Sequence, residues 1–80
     1  MINVQSWVWK CNDEKKICWN EENQVSVKIE KSEKGIRGKL LDMPMALFNE
    51  IAKLKNGENL IAEIVLAAEK EVIKAICNQQ

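Results

Sequence analysis

The stretch QVSVKIEKSEKGIRGKLLDMPMALFNEIAKL, residues 24–54, contains a change of period. Up to Leu41 the apolar residues alternate with polar ones: Val25, Val27 and Ile29 against Ser26, Lys28 and Glu30, with the same spacing resuming at Ile36, Gly38 and Leu40 after the turn SEKG. Alternation of this kind predicts two strands of a hairpin, each with one buried and one wet face. Past Leu41 the spacing becomes helical, and Leu47, Phe48, Ile51 and Leu54 form one stripe. Asp42 is the expected N-cap, Pro44 is tolerated in the first turn because its missing N–H has no helical partner, and Lys53, Lys55 and Gly57 are stop signals. The first helix is expected over 44–56.

Working outward, a second and longer helix is expected from Glu58 or Asn59, with Leu60, Ile61, Ile64, Val65, Ala68, Val72 and Ile76 on its core face. On the other side of the hairpin, polar clusters at 12–16 and 21–23 break residues 2–20 into two further strands. Strands followed by helices imply an α+β fold: a four-stranded antiparallel sheet covered on one face by two C-terminal helices, ββββαα. No repeat or linker interrupts residues 1–80, which are read as a single domain. A chain of 80 residues buries only about two-thirds of its unfolded surface, so every large side chain counts.

The segment SWVWKCNDEKKICWN, residues 6–20, holds all three tryptophans and two of the three cysteines. If 12–16 form a five-residue hairpin loop, Cys11 lies opposite Ile17 and Trp9 opposite Trp19, so that Trp7, Trp9, Cys11, Ile17 and Trp19 share one face. Ile2 and Val4 are out of phase with that face. A bulge near Gln5 or Ser6 brings them onto it. In the five-residue register Cys11 and Cys18 point to opposite faces and no disulfide forms; a loop one residue longer sets them opposite each other. Cys11, Cys18 and Cys77 are an odd number, and MINVQSWVWK lacks the basic-then-apolar pattern of a secretory signal, so reduced thiols and a cytoplasmic setting are expected.

Composition excludes several chemistries. There is no histidine, which removes Ser-His-Asp and Cys-His catalysis and the commonest metal ligand. The six residues between Cys11 and Cys18 do not match zinc-ligand spacing, and Cys77 completes no four-ligand set. Glycine occurs only at Gly35, Gly38 and Gly57, which rules out a phosphate-cradling loop. The acidic pairs Asp13-Glu14 and Glu21-Glu22 read as solvated turns. No enzyme, cofactor or metal site is expected. Net charge is zero, twelve basic against twelve acidic residues, so no overall field draws the chain to nucleic acid or membrane, and no apolar run is long enough to span a bilayer.

Two features point to binding. Beyond its core stripe the second helix carries Ala62, Leu66, Ile73 and Cys77, a second apolar line spaced four, seven and four residues apart and interrupted by Glu69 and Lys70. A helix apolar on two sides is buried twice or meets a partner, and a two-fold dimer is the natural form of the latter. The expected function is therefore a non-catalytic protein-interaction domain, a regulator, inhibitor or assembly factor binding itself or a larger protein. Its expected contact residues are Leu66, Lys70 and Ile73, with Trp7 and Trp9 where the sheet face is open. The alternative is a nucleic-acid-binding module on the basic hairpin KIEKSEKGIRGK, residues 28–39, using Lys31, Lys34, Arg37 and Lys39 with an exposed tryptophan.

Overall fold

The structure, a computed structural model, describes residues 2–78. A 3-10 turn, Val4–Ser6, precedes β1 (Lys10–Asn12), β2 (Ile17–Asn20), β3 (Val25–Ser32), β4 (Gly35–Asp42), α1 (Met45–Ala52) and α2 (Gly57–Asn78). The strands form one antiparallel sheet in the order β1-β2-β3-β4, and both helices follow the strands, so the α+β architecture is the one the change of period indicates.

The alternation in β3 is used as expected: Val25, Val27 and Ile29 are buried on the face that α2 covers. In β4, Ile36 and Leu40 pack on the same core, and between them Gly38 lets the helix approach. A Cβ at Gly38 would stand 2.9 Å from Cγ1 of Val65 and 3.1 Å from Cγ of Glu69. The Gly38 N–H points away from β3 and donates to Oε2 of Glu69 at 2.7 Å, so a helix carboxylate covers a strand edge that would otherwise be open. Leu60, Ile64, Ala68 and Val72 of α2 complete the core, each large aliphatic contributing about 1.5–3 kcal/mol by burial. Ile76, expected on this stripe, is 37% exposed. The 22-residue helix is about 33 Å long against about 26 Å for an eight-residue strand, and its last turns run past the sheet.

α1 is shorter than expected and packs against α2. Ile51 is fully buried, whereas Phe48 and Leu54 of the same stripe remain exposed. Asp42 closes β4, its Oδ1 accepting the Met43 N–H at 3.0 Å, and Pro44 takes the capping position. Gly57 does not end the first helix but begins the second. A side chain there would collide with the Ile51 carbonyl oxygen, and only glycine permits so tight a corner between the helices.

The amino-terminal half departs from expectation in three respects. The bulge expected near Gln5 is a 3-10 turn, closed by the Ser6 and Trp7 N–H groups on the carbonyls of Asn3 and Val4 at 3.2 and 3.1 Å. It has the phase-correcting effect required: Val4 and Trp9 are buried and Ile2 and Trp7 pack on the core, while Val8 is 73% exposed. The β1–β2 connection is a four-residue turn over 13–16, not a five-residue loop. The Lys15 N–H binds Oδ1 of Asn12 at 3.0 Å and Lys16 adopts φ 56°, so β1 continues one residue further than anticipated and the turn is one residue shorter. That single step sets Cys11 opposite Cys18 and Lys10 opposite Trp19. The expected Trp9–Trp19 pair is thereby replaced, with Ile17 and Trp19 on the face away from α2.

The third departure follows. Cys11 and Cys18 are joined by a disulfide, with Cα atoms 4.0 Å apart, and the free thiol is Cys77. The expectation of three reduced thiols is corrected by a register in which two of them face each other. Alkylation of the unfolded, unreduced chain should therefore label one cysteine and, after reduction, three. In the chain-entropy account of cross-links, opening this short loop lowers stability by about 2–3 kcal/mol, measurable as a lower urea midpoint in reductant.

Candidate functional site

The buried side of α2 runs along Leu60, Ile64, Ala68 and Val72, and the opposite side is left to solvent. Two turns apart on it, Leu66 is 46% and Ile73 47% exposed, with Ala62 and Cys77 extending the line and exposed Lys70 between them. An apolar ridge on the outside of a helix contributes nothing to the core.

Beside this ridge lies a groove of about 580 Å³, bounded by Val4, Trp7 and Trp9 on one side and by Leu66, Ala67 and Lys70 on the other. Alternation puts Trp7 and Trp9 on the same side and the 3-10 turn adds Val4 to this first wall, the ring centroids 5.9 Å apart at 44°, a tilted pair worth about 0.5–1.5 kcal/mol beyond burial. Trp9 is buried and its Nε1 has no hydrogen-bond partner among the described residues, whereas Trp7 is partly exposed at the groove. Glu63, Glu71 and Lys74 complete the rim with mixed charge. Four of the five residues expected to bind protein, Trp7, Trp9, Leu66 and Lys70, are thus assembled in one groove. Ile73 stands outside it on the ridge.

The four basic residues of the alternative are not brought together. Lys31 lies on the α2 side of β3, its Nζ held by Oδ1 of Asp13 at 3.0 Å, and Lys34 sits in the β3–β4 turn. Arg37 and Lys39 project from the open face, where Arg37 is opposite Glu30 and Lys39 is opposite Lys28. A directly opposed like-charged pair is mildly destabilising, and among the described residues neither lysine has a carboxylate within salt-bridge distance. On the same face Trp19 and Ile17 floor a shallow depression of about 300 Å³, edged by Asn12, Lys15 and Ser26. Alternation along β2 was a signal for Trp19, but only the register reveals that its cross-strand partners are Lys10 and Ser26 rather than Trp9.

Next to Trp19, Lys10 Nζ binds Oε1 of Glu21 at 2.9 Å. The Lys10 ammonium, by hydrogen bond and by charge, and the Trp19 indole N–H hold the Glu21 carboxyl below its ordinary value of 4.5. Of the acidic pairs, Asp13 and Glu21 are thus engaged with lysines at the surface. Among the described residues no three Cys, Asp or Glu side chains converge as metal ligands. Comparison of the chain with protein-family models, with curated proteins and with solved structures finds no match.

A group whose pKa is depressed by folding stabilises the fold above its unfolded pKa and loses that contribution as pH falls through the folded value. The Trp19 indole N–H resonance should therefore shift with a midpoint below 4.5 as Glu21 protonates, with the Trp9 resonance unmoved. In Lys10→Met the midpoint should return towards the ordinary value; an unchanged midpoint would remove Lys10 as the cause.

Proposed function

We propose that the chain is a non-catalytic protein-interaction domain that works by presenting the outer ridge of α2 and the adjoining tryptophan-lined groove. The observation that carries this reading is the pair Leu66 and Ile73, each about half exposed on a helix whose opposite side already fills the core. Large aliphatics held outward by a rigid helix lose little entropy on binding, and a neighbouring partly exposed indole is the side-chain type that anchors interfaces. A regulator, inhibitor or assembly factor that acts by occupying another surface suits such a scaffold. No helix among the described residues is long and apolar enough to cross a membrane. The Cys11–Cys18 bridge weighs against the expected cytoplasmic setting, since disulfides persist in oxidising compartments.

In Leu66→Glu with Ile73→Glu, association should fall at least tenfold with the circular-dichroism melt unchanged, because neither side chain is buried in the protomer. Unaltered mass by light scattering together with unaltered partner capture would sink the reading.

A second reading, nucleic-acid binding, is supported at a place other than the hairpin tip. The same open face carries the partly exposed Trp19, opposite Lys10 and Ser26, and the opposed pair Lys28 and Lys39, whose mutual repulsion a phosphate would relieve. It predicts oligonucleotide binding that weakens steeply with salt and is lost in Trp19→Ala with Lys28→Ala. Salt-insensitive or absent binding removes it.

A further inference from the structure

The exposed line on α2 is symmetric about its own middle. Leu66 and Ile73 lie at equal distances from the Glu69–Lys70 peptide bond, and so do Ala62 and Cys77. In a two-fold pair of antiparallel helices a residue at one distance from the axis meets the residue at the same distance on the other copy, and the relation is reciprocal. A ridge that reads the same in both directions is self-complementary in that arrangement.

We infer that the occupant of the α2 ridge is the ridge of a second copy of this chain, running antiparallel about a two-fold axis through the Glu69–Lys70 peptide bond. The inference rests on the protein-interaction reading and names its partner. Leu66 then packs on Ile73 of the other copy, and Ala62 on Cys77, twice each. On the flank bordering the groove, Glu63 comes within about 3 Å along the helix axis of Lys74 of the other copy, again twice. Glu69, on the opposite flank, is turned inward to the Gly38 N–H and leaves the seam clear of its charge. The one unfavourable contact is Lys70 against its own counterpart at the axis. About 24 Å of helix by about 10 Å of width is a footprint well below the 800 Å² or so per partner of a standard interface, so the dimer is a weak, transient one.

Helices in contact are about 8–10 Å apart, which puts the two Lys70 Cα atoms within reach of a disulfide, while the two Cys77 Cα atoms are about 22 Å apart along the axis. Lys70→Cys in a Cys77→Ser background, at several hundred micromolar under mild oxidation, should therefore convert to covalent dimer at least tenfold faster than the chain bearing native Cys77 alone. Adding Leu66→Glu and Ile73→Glu should abolish the cross-link. Equal or faster cross-linking through Cys77 would overturn the antiparallel pairing. A cross-link that survives the two glutamates would mark random collision and overturn it too. If no cross-link forms while the glutamates still abolish capture of a different protein, the second copy is wrong and the interaction reading stands; if capture is also untouched, both fall.

Discussion

The register of the β1–β2 hairpin governs the rest of the amino-terminal half. With Cys11 opposite Cys18, Trp9 belongs to the α2 side and Trp19 to the open side; one residue of slip would exchange the faces of Ile17, Trp19, Cys18 and Asn20 together. The slip is resisted covalently by the disulfide and locally by the Asn12 cap and the left-handed Lys16. It is also resisted by Asn20, which is 2% exposed. Its Nδ2 donates to the Val8 carbonyl at 2.9 Å, and its Oδ1 accepts the Asn23 N–H at 2.8 Å and Asn23 Nδ2 at 2.9 Å. Rotated to the wet face, Asn20 would leave those partners without it, a penalty on the order of 1–3 kcal/mol per orphaned group.

Those same hydrogen bonds tie the amino-terminal segment to the β2–β3 turn, where Gln24 takes φ 56°. The segment preceding β1 is thus not a free tail. It is held as the wall of the groove, with Val4, Trp7 and Trp9 turned towards α2 by the 3-10 turn and Val8 pointing outward. A polar anchor on one side and an indole pair on the other give this small domain a rigid edge beside its longest helix.

α2 itself divides its circumference. One side supplies the core; one flank, through Glu69, covers the β4 edge at Gly38; the remaining side carries Leu66, Lys70 and Ile73. A glutamate that interrupts the outer apolar line in the sequence is therefore explained by a strand edge rather than by solvation. The surface of the described residues carries an apolar ridge, a tryptophan-lined groove, and an open sheet face on which Trp19 lies opposite Lys10.

Periodicity is a local property, and it sufficed for the four strands, the two helices, their order and the buried faces of β3 and α2, because backbone geometry alone dictates which side chains share a side. Leu66 and Ile73 were legible for the same reason: a second apolar line on a helix is visible from spacing. What tertiary structure decided was whatever depends on two segments meeting. The Asn12 cap shortened a turn by one residue, and that choice reassigned Trp19 and made the disulfide; the β3–β4 register separately set Lys31 on the opposite face from Arg37 and Lys39. Gly57 changed from a stop signal to the first residue of a helix because the Ile51 carbonyl lies against it, a contact invisible in a single segment. Local sequence carries the period of each element, whereas register and corner geometry are set by sterics and hydrogen bonds between elements, and those were settled only when the chain was folded.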